Sequence, residues 1–126
     1  AHGSDLLLQL GLNPAFGAVE ARRIVQAIAT QVTPERHFYI YGESERLARP
    51  ILFIAQRGLI PEAEWTAYFA QFAAVGENPY ASQTGLARIH NAKAFLQTIY
   101  LNAQLSENAE DNALLPGIEA ALRALP

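Results

Sequence analysis

Helical periodicity extends through almost the whole chain and constrains its fold more than any other feature. Apolar residues recur at steps of three and four, as at Val19, Ile24, Ile28 and Val32. This spacing places apolar side chains on one face of an α-helix. Glycine and proline interrupt the pattern repeatedly and mark the helix ends. The predicted helices span about 6–10, 17–32, 43–57, 61–72, 82–105 and 113–125.

Two of the interruptions have the same form, with glycine and proline three residues apart. They occupy residues 11–14 and 58–61, each between the helices of a predicted antiparallel pair. Their separation fits the repeat of roughly 40–47 residues found in HEAT-like proteins. We therefore predict an all-α fold in one domain, residues 1–126, with antiparallel helix pairs stacked as a HEAT-like (ARM-like) right-handed superhelix. The alternative is an irregular six-helix orthogonal bundle.

Four local features refine this prediction. Pro50 lies inside the third helix and predicts that the helix bends or splits there. Residues 37–42 are aromatic and β-branched, but a lone strand has no partner, so we interpret them as an ordered loop. The polar segment 106–112 is predicted to be a loop as well. The apolar residues of the long fifth helix are predicted to face mostly inward; they are Leu86, Ile89, Phe95, Leu96, Ile99 and Leu101.

Composition excludes several classes of function. The 126 residues include 9 basic and 12 acidic side chains, and this mildly acidic balance argues against binding to nucleic acid or anionic membrane. Cysteine is absent, so disulfides, thiolate zinc sites and cysteine nucleophiles are impossible. No apolar stretch approaches the roughly 20 residues that span a bilayer. We expect no metal, no cofactor and a cytoplasmic location. The low charged fraction, 17%, hints at apolar surface beyond a single core.

Histidine and its neighbours supply the candidate polar site. His2 and Asp5 lie three residues apart at a helix start, so both can occupy one helix face. Such a pair can serve metal binding or acid–base chemistry, although Asp5 also suits the positive end of a helix dipole. Arg46 and His90 would complete a polar pocket. The residue after His90, Asn91, fits better as a buried structural amide, because a buried amide must find hydrogen-bond partners.

Aromatic residues supply the second candidate site. Tyr41 belongs to the aromatic loop, and Trp65 and Tyr68 lie at helical spacing further along the chain. Aromatic residues at this spacing usually belong to the core, but exposed ones favour a protein or peptide contact surface. No phosphate-binding glycine loop, nucleophile elbow or metalloprotease helix is present. The sequence therefore carries no enzyme signature.

Three short blocks of the chain together resemble a known family. They are residues 2–7 (HGSDLL), 45–48 (ERLA) and 91–100 (NAKAFLQTIY). In their order and spacing, these blocks resemble the corresponding blocks of the bacterial all-helical family catalogued as domain of unknown function 2785. Ser4 and Pro50 depart from the family pattern. The resemblance implies an α-helical, repeat-like fold and no established activity. It also implies further helices upstream, so we expect this chain to be the C-terminal portion of a longer helical protein.

These observations lead to one functional hypothesis and one alternative. The hypothesis is a non-enzymatic helical-repeat scaffold that binds a protein or peptide, with the missing upstream helices of the same protein as a further partner. The alternative is a small-molecule-binding or hydrolase-like protein with a polar pocket. The candidate binding residues are His2, Asp5, Tyr41, Arg46, His90 and Asn91.

Overall fold

The computed structural model describes residues 17–32, 43–73 and 83–125, and these ranges contain helices, turns and no strand. The helices are α1 (Ala18–Val32), α2 (Glu43–Gln56), α3 (Glu62–Ala70) followed by a 3₁₀ turn (Gln71–Ala73), α4 (Gln83–Leu105), α5 (Ala109–Asn112) and α6 (Leu115–Ala124). The all-α prediction is confirmed for this part of the chain. The predicted helix at 6–10 and the aromatic loop at 37–42 lie outside the described residues.

Helix α2 is continuous through Pro50, so of the two predicted outcomes, a bend or a split, the split does not occur. Pro50 is buried within the helix, and its missing amide hydrogen removes one backbone hydrogen bond. A proline in a helix interior costs about 3 kcal/mol. The neighbouring Leu47, Ile51 and Ile54 are all buried, and each contributes roughly 1.5–3 kcal/mol on burial. Burial of one face of α2 therefore outweighs the local penalty.

Gly58 ends α2, as the sequence predicts. Its φ of 65° lies in the left-handed region, which glycine adopts without steric cost. Its amide donates to the carbonyl of Ala55 at 3.0 Å, and the Arg57 amide donates to Ile54 at 3.2 Å. Glycine in this position is a common helix terminator because these bonds satisfy carbonyls that the helix leaves open. The chain then turns into α3.

The helices enclose one hydrophobic core, to which α1, α2, α3, α4 and α6 all contribute. The most extensive packing is between α2 and α4, between α3 and α6 and between α4 and α6. Helices α2 and α3, predicted to form an antiparallel pair, are not among the closely packed neighbours. The aromatic face of α3 is buried in this core with α6 beside it, so strict pairing of consecutive helices is not followed here.

Two leucines of α4 do not face the core. Ile89, Phe95, Leu96 and Ile99 are buried as predicted, but Leu86 is 40% exposed and Leu101 is 57% exposed. Leu101 follows Ile99 by two residues, or roughly 200° around the helix, and therefore falls on the opposite face. The prediction of inward leucines is wrong at these two positions. No helix in the described part of the chain combines the length and apolar character that crossing a membrane requires.

Residues 106–112 contain the short helix α5 and not only a loop. The side chain of Asn108 caps it by accepting from the amides of Glu110 at 2.8 Å and Asp111 at 3.3 Å. The Asp111 carboxylate is buried and its Oδ2 accepts from Gln56 Nε2 at 2.9 Å and Ser106 Oγ at 2.8 Å. These bonds attach the segment to the end of α2. The prediction missed α5 because capping by side chains, and not apolar periodicity, stabilises it.

The close approach of α6 to α3 depends on Gly117. A Cβ added there would lie 2.9 Å from the Cα of Thr66. Alanine favours a helix over glycine by about 1 kcal/mol, whereas overpacking costs about 1–3 kcal/mol. Because the obstructing atom belongs to the backbone of α3, we expect Gly117→Ala to destabilise the protein by up to about 2 kcal/mol, measured by urea unfolding. Ala120→Gly, at an exposed position of α6, measures separately how much the difference in helix propensity between alanine and glycine contributes to stability. A Gly117→Ala protein more stable than wild type would contradict the close packing.

Candidate functional site

The predicted polar-site residues do not share one environment. Arg46 on α2 and His90 on α4 are both exposed, whereas Asn91 is fully buried. Burial of Asn91 agrees with its interpretation as a structural amide and removes it from any surface site. His2, Asp5 and Tyr41 lie outside the described residues. The polar pocket therefore stays a prediction.

The described residues instead form an open cleft between α1 and α3. Its volume is about 400 Å³. The lining residues are Arg22, Val25, Gln26, Ile60, Glu64, Trp65, Ala67, Tyr68 and Gln71. The floor is made of buried apolar side chains, and the rim carries charged and amide groups. A cleft of this size and composition is at the lower end of the range for ligand sites, about 300–1,000 Å³.

The floor of the cleft is rigid because its aromatic rings pack on one another. Trp65 stacks on Phe69 with ring centroids 5.7 Å apart and meets Tyr68 edge-on at 5.6 Å. Tyr68 in turn meets Phe72 edge-on at 5.4 Å, an arrangement favoured by the ring quadrupoles. The core interpretation of Trp65 and Tyr68 is confirmed, since they are 4% and 9% exposed. The same two rings also line the cleft.

Tyr68 also connects the two walls of the cleft. Its hydroxyl donates to the backbone carbonyl of Val25 on α1 at 2.6 Å, and the bond is buried. A buried hydroxyl without a partner would cost about 1–3 kcal/mol. The bond therefore holds α1 and α3 at the separation that leaves the cleft open.

An ion pair bridges the rim. Arg22 donates from Nε to Glu64 Oε2 at 2.7 Å and from Nη2 to Oε1 at 3.1 Å, a bidentate geometry. The hydrogen bond from Arg22 lowers the pKa of Glu64, and its positive charge adds to the effect. The hydrogen bond to Glu64 and its negative charge raise the pKa of Arg22. Both side chains are nearly half exposed, so water screens the attraction between their charges. Because the pKa of Glu64 is lowered and that of Arg22 is raised, both groups are ionised at neutral pH.

The Arg22–Glu64 pair predicts a small acid-dependent loss of stability. Because the pKa of Glu64 is lower in the folded state than its ordinary value of 4.5, the pair stabilises the fold above that value. This contribution is lost as the pH falls through the lower folded pKa. We expect the stability difference between wild type and Arg22→Gln, measured by urea unfolding, to be larger at pH 7 than at pH 3. Arg23→Gln, at an exposed neighbouring position, is the control. Its difference in stability from wild type should not decrease between pH 7 and pH 3.

Two glutamines lie further along the rim. Gln26 Nε2 on α1 donates to Gln71 Oε1, in the 3₁₀ turn after α3, at 3.4 Å. An amide carries one acceptor oxygen and a nitrogen with two donors. The long mutual bond uses one donor of Gln26 and one lone pair of Gln71. The rim thus presents amide hydrogen-bonding groups beside an apolar floor.

The cleft is suited to binding. The polar groups on its rim are an ion pair whose two charges neutralise each other and two amides. Within residues 17–32, 43–73 and 83–125, no three His, Asp or Glu side chains lie close enough together to hold a metal ion. The arrangement provides apolar contact, hydrogen bonding and a local pair of charges.

Sequence reasoning missed the rim of the cleft. Arg22 and Glu64 are 42 residues apart, and Gln26 and Gln71 are 45 residues apart. No local spacing or motif connects either pair. The only available signal was the aromatic stripe containing Trp65 and Tyr68, which located the floor.

Comparison with known families gave a match over most of the chain. The sequence model of a family described as "Protein of unknown function (DUF2785)" matches residues 1–101. This confirms the resemblance found from the three sequence blocks. The search of curated proteins returned no match, and neither did the search of solved structures.

Proposed function

We propose that this chain, which belongs to the DUF2785 family, is a non-catalytic helical scaffold that binds a protein or peptide. The observation that carries the proposal is the open cleft between α1 and α3, with its aromatic floor and polar rim. The established description of the family assigns no activity, so the cleft is the basis of the proposal.

The composition of the cleft supports this proposal. Tyrosine, tryptophan and arginine are enriched in protein interfaces, and the cleft contains Trp65, Tyr68 and Arg22. Such residues contribute most to binding when they are held rigidly in a well-packed surface. The ring contacts of Trp65 and the hydroxyl bond of Tyr68 provide that rigidity.

A HEAT-like stacking of the helices is part of the same proposal. The packing of α4 against α6, two helices predicted to form a pair, supports it. The contacts of α2 with α4 suit the alternative orthogonal bundle equally. A crystal structure of the chain would test this directly: a right-handed superhelical arrangement of the helices is expected, with α2 and α3 not packed as a close pair, and an orthogonal packing of α2 on α4 would overturn it.

The binding proposal is tested by closing the cleft without disturbing the core. Ala67 is exposed and lines the cleft, whereas Ala70 is exposed on the same helix and lies outside its lining. A peptide display library is selected on the wild-type chain. We expect Ala67→Arg to weaken binding of the selected peptides at least tenfold and Ala70→Arg to leave it unchanged.

Both variants must keep the wild-type helix content and unfolding midpoint, measured by circular dichroism. The proposal is contradicted if the library yields no specific peptide. It is also contradicted if the selected peptides bind Ala67→Arg as tightly as wild type.

A further inference from the structure

We propose that the occupant of the cleft is an uncharged peptide segment that inserts an aliphatic side chain between α1 and α3 and bonds through its main chain to Gln26 and Gln71. This inference rests on the proposed function, because it names the chemistry of the partner. It is carried by three properties of the cleft: the apolar floor, the neutralised rim charges and the open amide groups.

The floor favours an aliphatic side chain. Val25, Ile60 and Trp65 are each less than a tenth exposed, so they form a firm apolar surface with little area of their own in water. An aliphatic side chain placed against this surface would be removed from water. This burial favours binding by about 25 cal/mol for each Å² of apolar area. The floor has no charged group, so a charged side chain placed there would lose hydration without a partner.

The rim favours a segment without net charge. Arg22 and Glu64 already satisfy each other through two hydrogen bonds of 2.7 and 3.1 Å. A ligand carboxylate would have to displace Glu64 from Arg22, and a ligand cation would have to displace Arg22 from Glu64. Each displacement leaves a like charge beside the ligand, so neither sign of charge gains from this rim.

The glutamines match the polar groups of a peptide main chain. After their mutual bond, the Gln26 oxygen remains as an acceptor and the Gln71 nitrogen remains as a donor. A peptide unit offers the complementary N–H donor and carbonyl acceptor. Main-chain recognition of this kind tolerates variation in sequence and leaves selectivity to the pocket below.

The assay uses Trp65, which is the only tryptophan in the chain and lines the cleft. Its fluorescence therefore reports on occupancy. The probes are acetylated, amidated pentapeptides with leucine at the centre, alanine on either side and glycine at the ends. In companion peptides the central leucine is replaced by lysine or glutamate, or its amide nitrogen is methylated.

We expect the leucine peptide to change the fluorescence saturably, and the lysine and glutamate peptides to bind at least tenfold more weakly. Methylation of the amide should weaken binding to wild type about tenfold and have little effect on binding to Gln26→Ala, which lacks the accepting oxygen. Gln31→Ala, at an exposed position of α1 outside the cleft lining, should behave as wild type.

Three results would overturn the inference: no saturable change with the leucine peptide, equal binding of a charged peptide, or the same loss on methylation in Gln26→Ala as in wild type. Suppose that one of these results is obtained but the display-selected peptides fail to bind Ala67→Arg. The proposed function then stands, and only the stated chemistry of the partner is refuted. Selected peptides that bind Ala67→Arg normally refute both.

Discussion

A chain that stops after Leu101 is expected to lose cooperative folding, although the family match covers residues up to that position. The segment beyond it contains α5 and α6, and α6 packs against α3 and α4. Leu114, Ile118 and Leu125 are at most 7% exposed in the core. At about 1.5–3 kcal/mol each, these three side chains contribute roughly 5–9 kcal/mol. That is comparable with the whole stability of a typical domain, about 5–15 kcal/mol.

The stability of the truncated chain is measured by urea unfolding, with circular dichroism and Trp65 fluorescence as the two probes. The full chain should give one sigmoidal transition with both probes, whereas the truncated chain should give none or a broad, non-coincident change. A chain that lacks only Pro126 is the matched control and should unfold like the full chain. A sharp transition in the truncated chain would show that residues 102–125 are dispensable for the core.

Phe95→Ala is expected to destabilise the protein by about 3–5 kcal/mol, the range for deleting a buried aromatic ring. Phe95 has no solvent exposure, and its ring lies 5.2 Å from that of Phe72 between centroids. Its loss would leave a cavity at the junction of α4 with the 3₁₀ turn after α3. The free energy of unfolding, obtained from urea denaturation, measures the effect.

Leu101→Ala provides the control for Phe95→Ala on the same helix. Leu101 is 57% exposed, and substitutions at such positions usually change stability by less than about 0.5 kcal/mol. The assignment of the α4 faces would be wrong if Phe95→Ala cost less than 1 kcal/mol or if the two variants were equally destabilised.

Local sequence predicted α1, α2, α4 and the end of α2 at Gly58 well, because helix periodicity and glycine termination act over a few residues. It predicted a bend or a split at Pro50 and could not exclude the split, since burial of the neighbouring side chains decides whether a proline is tolerated. It was wrong about Leu101, because a long helix exposes one side wherever no neighbour covers it. It missed α5, whose residues form polar caps with no apolar stripe.

The candidate site divides in the same way. Trp65 and Tyr68 were identified from their helical spacing as core aromatics, and they are buried. That they also form the floor of a cleft follows only from the position of α1. The Arg22–Glu64 pair could not be predicted, because any of several exposed charges could have met across helices 42 residues apart.

By itself, the sequence determined that this chain is helical, where most of its helices lie and which faces are apolar. These properties follow from the 3.6-residue period and from local backbone preferences. The tertiary structure alone decided which helices pack together, that α6 completes the core and that α1 and α3 stand apart far enough to form a cleft. One apolar helix face can pack against any other. Which helices become neighbours is therefore decided by the arrangement that buries all the apolar faces at the same time.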